Sequence, residues 1–381
     1  KAGWDGDCGT WRAFYGRKNE DSELHHTLNG TGAFFMEQWL PNEGVTLRRN
    51  VAYWRGPGRM KQVVFKTVPE LATRLLMLQA GDADVVDVPG PNVDQVRPLV
   101  DQGLVREVKA DSARSMSFVS FNQKVAAENN PYIGSGKLDG EGIPPDFFAD
   151  IDVRKGFGYA FDWDSLIQEA MNGDAIRAKG PIPSNALGFD PAWPGFDHDP
   201  AKAEEHFKKA LDGRLWESGF KLFMGGDPSQ PNAELQLIQK SLAAINPRFK
   251  VELHPVLGAQ AWDDRIADRI PLTLDGWTED FHDADDWAQP LLGTGGFFAS
   301  VLDFPPALQQ QLDDLILQGR RELDPDRRAA VYSRIGLLNH EQALILPGTE
   351  PRPRTFERSW LQGIVRNPAR WDIDFHAMYK A

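Results

Sequence analysis

Along most of the chain, hydrophobic residues recur at the spacing of a strand or of a helix. Two β-prone runs, 34–39 and 45–49, flank the turn signal LPNEG and predict a hairpin. The stretch 62–88 then reads as a strand, a helix over 70–80 with Gly81 in the C-cap position, and a second strand. A strand, a helix and a strand of this length predict a parallel βαβ unit with a right-handed crossover.

Helical periods become more frequent after residue 122. The stretch 198–211 predicts a helix with Asp199 as its N-cap and Pro200 at its first position. The apolar run IPLTLDGW predicts a strand that is central in its sheet. The strands predicted in this half of the chain are 220–224, 249–254 and 270–277.

The chain has 381 residues, which is too long for one simple core, so we expect two lobes of an α/β fold. The predicted organisation has an irregular N-terminal segment, part of lobe I, lobe II, and a C-terminal return to lobe I. Their predicted bounds are 1–29, 30–118, 119–346 and 347–381.

The composition of the chain argues against several classes of function. The formal charge of -13 offers no basic stripe to neutralise phosphates, so nucleic acid is not an expected partner. The single cysteine, Cys8, excludes an internal disulfide and a cysteine-based zinc site, and we expect no metal and no cofactor. No apolar run approaches the ~18 residues that span a bilayer. The first residues also lack the apolar region of a signal peptide.

Catalytic and metal-binding motifs are weak. Asp283 and Asp285 have the spacing that opens a calcium loop, but the required glycine and closing glutamate are missing. The similar stretches GTGAFF and GTGGFF lack the lysine and hydroxyl of a phosphate loop. There is no G-x-S-x-G elbow. A pair of catalytic carboxylates, as in glycosidases, stays open because distances between acids cannot be read from a sequence.

The segment DGWTEDFHDADDW, at 275–287, holds six acidic residues; it begins within the predicted strand 270–277 and continues past its end. An extended ligand could pair with its backbone while one carboxylate holds an ammonium group. If Asp280 faces a ligand crevice, Gly276 and Thr278 share its face, and Trp277 and Glu279 face away. The alternative is that all six acids are solvated.

Several motifs, in the same order along the chain, make it resemble the solute-binding proteins of ABC importers in the oligopeptide, dipeptide and nickel class, which is bacterial solute-binding family 5. The Gly-Thr-Gly strand is at 30–32, the Arg-Asn-x-x-Tyr-Trp turn at 49–54 and the Leu-Gln-x-Gly-x-x-Asp helix end at 78–84. The stretch DVRKGFGYAFDWDSLI and the C-terminal GIVRNP are also similar to the family.

This resemblance implies a two-lobed periplasmic-binding-protein-like fold of class II, which closes around its ligand without catalysis. It implies di- or oligopeptide binding, delivery to a membrane permease, and a monomer in the periplasm or another extracytoplasmic location, with or without a lipid anchor. It also implies that an N-terminal portion of the first lobe is missing. Hinge crossings are expected near Ser120, Asn122 and Leu346.

The resemblance also assigns roles within the acidic segment. Asp280 pairs with the α-ammonium of a peptide, and Gly276, Trp277, Thr278 and Glu279 form the adjoining ligand-binding stretch. The remaining part, 282–286, is expected to be a solvated exit loop.

Two alternatives remain open. An oligosaccharide receptor of the same fold would stack sugar rings on Trp277 and Trp287. A glycoside hydrolase, from a different class of function, would use two acids of the segment.

Overall fold

The computed structural model describes residues 30–88, 90–109, 114–226, 232–256, 258–352, 354–365 and 374–381. The chain divides into two compact units. Unit 1 holds the described residues of 1–88, 92–108 and 354–381, and unit 2 those of 89–91 and 109–353. The sequence analysis placed its lobe boundaries at 118/119 and 346/347. That assignment of lobes stays a prediction.

Fifteen strands lie in the described residues. They are β1 (Phe34–Leu40), β2 (Gly44–Arg49), β3 (Gln62–Lys66), β4 (Val85–Asp87), β5 (Val105–Lys109), β6 (Ser115–Phe121), β7 (Ala175–Arg177), β8 (Phe220–Gly226), β9 (Phe249–Pro255), β10 (Leu272–Thr278), β11 (Ile345–Pro347), β12 (Thr349–Pro351), β13 (Arg354–Arg358), β14 (Leu361–Gln362) and β15 (Tyr379–Lys380).

Eleven α-helices lie in the same residues. They are α1 (Leu71–Ala80), α2 (Arg97–Asp101), α3 (Ile151–Ala160), α4 (Trp163–Glu169), α5 (Pro200–Lys209), α6 (Leu215–Ser218), α7 (Ala233–Ile245), α8 (Gly258–Ile266), α9 (Asp285–Leu292), α10 (Pro306–Arg321) and α11 (Pro325–Gln342). Two predicted helix ends are confirmed. The carboxylate of Asp199 accepts from the N–H of Lys202 at the start of α5, and Gly81 ends α1 with φ 86°.

Unit 1 contains three small sheets, with strand orders β1-β2-β3, β4-β13-β5 and β14-β15. The predicted hairpin of β1 and β2 is confirmed. The predicted parallel βαβ unit is wrong, because β3 pairs antiparallel with β2 and β4 pairs antiparallel with β13. The apolar pattern of a strand identifies an element and leaves its partner open. Here β3 pairs with the neighbouring hairpin strand, and β4 pairs with a strand from the far end of the chain.

Unit 2 is built on the antiparallel sheet β10-β6-β11, the pair β12-β7 and the parallel pair β8-β9. The helix α7 connects β8 to β9, so these three elements form a βαβ unit. One core packs around stacked phenylalanines, including Phe157, Phe220 and Phe249. A second core surrounds Trp193, Trp287 and Tyr332. Among the described residues, no helix has the length and apolarity needed to cross a membrane.

The packing of Trp193 depends on a glycine in α11. A Cβ at Gly336 would lie 2.1 Å from Cζ2 of the buried Trp193 indole, whose Nε1 donates to the carbonyl of Ser333 at 3.2 Å. The indole is therefore held against the helix and cannot move aside easily.

We predict that Gly336→Ala lowers the free energy of unfolding by about 1–3 kcal/mol, because overpacking outweighs the ~1 kcal/mol gain in helix propensity. Urea unfolding measures the change. The matched control is Gly258→Ala, whose added Cβ meets no atom within 4 Å, and it should be neutral or slightly stabilising. A Gly336→Ala protein as stable as the parent would contradict this account of the core.

Candidate functional site

The strand β10 lies at an edge of its sheet. Its only strand partner among the described residues is β6, so the prediction of a central strand is wrong. Two hydrogen bonds show which residues of β10 bond to β6. Asn122 N donates to Pro271 O and Glu279 N donates to Arg114 O, both at 2.9 Å. Because bonded and non-bonded positions alternate in an antiparallel pair, even-numbered residues such as Gly276 and Thr278 direct their N–H and C=O groups to the free edge.

Side chains also alternate along β10, and they divide the segment as expected from its sequence. Gly276, Thr278 and Asp280 are exposed. Trp277 is half-buried, and its Nε1 donates to the carbonyl of Asp286 at 2.8 Å. Glu279 is only 1% exposed. In the second half of β10, the exposed residues are thus those whose backbone groups lie on the free edge, together with Asp280 just beyond the strand.

The carboxylate of Glu279 is held inside unit 2. It lies 3.6 Å from Nε of Arg114 and 3.1 Å from Nδ1 of His282, and it accepts from Nε1 of Trp287 at 3.3 Å. These contacts compensate for its burial. Glu279 therefore offers no exposed carboxylate surface to a ligand, and its place in the ligand-binding stretch stays a prediction.

Asp286 holds the turn that follows β10. Its Oδ2 accepts from the backbone N–H of Asp280 at 2.6 Å and of Phe281 at 3.2 Å. Asp286 is 4% exposed and lies in the first turn of α9. Burial raises the pKa of its carboxyl, the two backbone N–H bonds oppose that rise, and the nearby charges of Asp280 and Glu279 add to it. Asp286 thereby fixes the backbone from which the Asp280 side chain projects.

The prediction of a solvated exit loop at 282–286 is wrong. Asp283 forms a two-bond pair with Arg328, at 2.7 and 2.8 Å, and Asp285 accepts from Nε of Arg320 at 2.8 Å. Burial works against ionisation of Asp283, yet the bonds from Arg328 and from the N–H of Asp285 hold its pKa below the ordinary value. Arginines of α10 and α11 were too distant in sequence to be recognised as partners.

Asp275 also has partners inside the unit. Its Oδ2 lies 3.1 Å from Nη2 of Arg265, and Oδ1 accepts from Nη1 of the same guanidinium. Thr273 and Ser120 donate to Oδ2 through their hydroxyl groups. Five of the six acids are thus engaged with other side chains or with backbone groups. Asp280 is the exception: among the described residues, its carboxylate has no ion pair.

The predicted hinge residues lie within the sheet of unit 2. Ser120, in β6, is 1% exposed, and Leu346, in β11, is fully buried. Asn122 follows β6, and its Oδ1 accepts from the N–H of Lys124 at 2.9 Å. The two units divide at 108/109 and 353/354, outside these three residues. Their hinge role stays a prediction.

A cavity that the sequence analysis missed lies beside β10. It has a volume of about 250 Å³. Trp262 on its wall is 44% exposed and stacks on Phe297, which is 48% exposed, with ring centroids 5.3 Å apart. The only sequence signal was Asp275, an acid within an apolar strand. The lining residues are Met224, Gly225, Asn232, Gly258, Ala261, Trp262, Arg265, Ile270, Leu272, Thr273, Leu274 and Asp275.

Comparison with known proteins identifies the family. Residues 11–299 match the family described as bacterial extracellular solute-binding proteins, family 5 Middle. The chain belongs to this family. Its fold is the mixed α/β fold of class II periplasmic binding proteins, as the resemblance implied.

Individual relatives cover most of this chain. It is 26% identical to a probable di/tripeptide-binding protein 5 of Pseudomonas aeruginosa over 89% of its length, and 24% identical to heme-binding protein A of Haemophilus influenzae over 90%. The solved structure of the ABC transporter-associated periplasmic binding protein DppA from Helicobacter pylori, in complex with the peptide STSA, superposes with a TM-score of 0.73 at 22% identity. That match covers 92% of this chain and 63% of DppA. The chain spans 59% and 58% of the length of the two curated relatives.

We predict that Asp286→Ala lowers the free energy of unfolding by about 1–3 kcal/mol, because it leaves the N–H groups of Asp280 and Phe281 without their acceptor. Asp286→Asn keeps an acceptor oxygen and removes a buried charge, so it should be close to neutral. Urea unfolding at neutral pH compares the two. Equal losses in both variants would mean that the charge, and not the acceptor, is what the turn requires.

Proposed function

We propose that the protein is the substrate-binding component of an ABC importer and that it binds peptides. The observation that carries this proposal is the free edge of β10, which ends beside Asp280. An extended peptide can add to that edge as a strand, with hydrogen bonds to the backbone of Gly276 and Thr278. The α-ammonium group then meets the carboxylate of Asp280.

The charge distribution around Asp280 supports this role. An ammonium group that leaves water needs a carboxylate that is not already neutralised. Asp283 and Asp285 are paired with arginines and Glu279 is buried, so the described segment offers Asp280 as its accessible anion. The similarity to a probable di/tripeptide-binding protein and to DppA, whose structure holds a peptide, supports a peptide ligand.

In this proposal, Glu279 and Trp277 hold the site in place through contacts inside unit 2. Trp277 ties β10 to Asp286 through its indole N–H, and Glu279 joins Arg114 to the start of α9 through Trp287. The ligand-binding residues are then Gly276, Thr278 and Asp280.

The rest of the proposal concerns location and partners. The family is one of extracellular binding proteins, and we propose an extracytoplasmic monomer that delivers peptide to a membrane permease without catalysis. A lipid anchor stays a prediction.

The sugar-stacking alternative loses one of its two tryptophans. Trp287 is fully buried, and the indole N–H of Trp277 is taken by the carbonyl of Asp286. The exposed stack of Trp262 on Phe297 is the one observation in favour of a flat ligand, because aromatic faces of this kind also contact sugars and planar groups. Native mass spectrometry of ligand that copurifies with the protein distinguishes a peptide from these alternatives.

We predict that Asp280→Ala weakens peptide binding by about 2–5 kcal/mol, measured by calorimetry, because the bound ammonium group loses its counter-charge. The thermal melt should hardly change, since the Asp280 side chain is exposed. The matched control is Asp326→Asn, which removes an exposed acid from α11. Unchanged peptide affinity in Asp280→Ala would remove Asp280 from the site.

A further inference from the structure

Asp286 is a buried carboxylate with no cation beside it. It is 4% exposed, and no ion pair among the described residues includes it. Its neighbours Glu279, Asp283 and Asp285 differ in this respect, because each has an arginine nitrogen within 3.6 Å of a carboxylate oxygen. An ionised carboxylate is costly to bury when no opposite charge lies beside it. The charge of Asp286 is therefore not compensated in the protein alone.

The hydrogen bonds of Asp286 use one of its two carboxylate oxygens. Oδ2 accepts from the backbone N–H groups of Asp280 and Phe281, at 2.6 and 3.2 Å. Oδ1 accepts no hydrogen bond from the described residues. The two N–H groups stabilise the ionised form only in part, and Oδ1 is the oxygen that can hold a proton.

The surroundings of Asp286 favour its neutral form. Burial raises the pKa of its carboxyl, the bonds from the N–H groups of Phe281 and Asp280 lower it, and the negative charges of Asp280 and Glu279 raise it further. The cationic and other titratable groups on the surrounding elements each contact a different acid. They are Arg114 before β6, His282 in the turn, Arg320 on α10, and Arg328 and Tyr332 on α11.

Asp286 also lies close to the proposed position of the ligand's ammonium group. Its Oδ2 is 2.6 Å from the backbone nitrogen of Asp280, and the carboxylate carbon of Asp280 is at most about 4 Å from that nitrogen. A cation in contact with the Asp280 carboxylate is thus within roughly 10 Å of Asp286. Water screens charges only weakly when one of them is buried, so the two charges interact over this distance.

We propose that Asp286 is a second, buried anion of the ammonium site, ionised in the peptide complex and protonated at Oδ1 in part of the free protein. The inference rests on the proposed function, in which the α-ammonium group of a peptide meets Asp280. The bound cation supplies the positive charge that Asp286 lacks. A proton then leaves Oδ1 for the solvent, the carboxyl becomes a carboxylate, and no other bond changes.

A buried anion at this place selects ligands with a free α-ammonium group. An N-acetylated peptide ends in a neutral amide, whose N–H can still donate to the exposed carboxylate of Asp280. Only a net positive charge favours the ionised form of Asp286. The pair of acids therefore distinguishes a charged amino terminus from a blocked one more strongly than Asp280 does alone.

Peptide affinity should rise with pH while Asp286 titrates. The bound cation lowers the pKa of Asp286 in the complex relative to the free protein. Between these two pKa values, binding releases a proton, so the affinity increases as the pH rises through that window. Above the window Asp286 is ionised in both states, and its contribution to the affinity becomes constant.

The test compares the parent protein with Asp286→Asn, which keeps an acceptor oxygen and removes the charge. The probe is the tightest binder among alanine peptides of two to six residues. Calorimetry measures its affinity from about pH 4.5 to 7, where both ends of a free peptide are charged. At the upper end, Asp286→Asn should weaken binding roughly tenfold, and this difference should shrink toward the lower end. The matched control Asp326→Asn, which removes an exposed acid from α11, should bind as the parent does.

The N-acetylated form of the same peptide separates the charge of Asp286 from its structural role. This ligand should bind the parent more weakly than the free peptide does, and Asp286→Asn should not weaken it further. A loss that is equal for both peptides would mean that Asp286 only holds the turn, and it would overturn the inference.

Two further measurements keep the test decisive if Asp286→Asn does not fold. Asp286→Ser offers a neutral hydroxyl oxygen to the same N–H groups and should behave in the same way. In the parent, calorimetry in buffers of different ionisation enthalpy counts the protons released on binding. Release should occur at the lower pH values and disappear at the upper end, and it should persist in His282→Gln, which removes the nearby histidine as a source of protons. Absence of release at every pH would contradict the proposal.

The outcomes separate this inference from the proposed function. Absence of binding to all of the alanine peptides by the parent protein would overturn the proposed function. Binding that Asp280→Ala weakens and that Asp286→Asn leaves unchanged at every pH would overturn only the role of Asp286.

Discussion

The hydrogen-bond phase between β10 and β6 is the constraint on which the candidate site depends. Because odd-numbered residues of β10 bond to β6, even-numbered ones are left to serve the free edge. The same phase buries Glu279 and exposes Asp280. A slip of one residue would exchange these two acids, and it would place Glu279 in water and Asp280 in the core. The burial of Trp277 and the pairing of Glu279 with Arg114 oppose such a slip.

The acidic segment holds many like charges close together and still leaves one carboxylate, that of Asp280, without an ion pair among the described residues. Asp283 and Asp285 are matched by Arg328 and Arg320 on the two long helices of unit 2. Asp286 is used as a backbone acceptor, with a raised pKa as the cost of its burial. Each of these contacts stabilises the fold. Their joint effect is that a cation approaching the edge of β10 meets the charge of Asp280 with little competition.

The sequence predicted the strand and the alternation of its exposed and buried side chains correctly, because both depend on local period and residue type. It did not identify partners that are distant along the chain. The pairing of β4 with β13, the edge position of β10, and the arginines opposite Asp283 and Asp285 all join residues far apart in sequence. The density of charge in the sequence therefore suggested a solvated loop. In the structure, the acids of this loop are paired with arginines or partly buried. The cavity was missed for the same reason, since its lining comes from β8, the N-cap of α7, α8 and β10.

The two ends of the β10 edge differ in the charge that they present. Asp280 is an exposed anion with no ion pair among the described residues, whereas the Arg265–Asp275 pair is neutral and largely buried. A single charge attracts any ammonium group and selects weakly among peptides, since every peptide carries one.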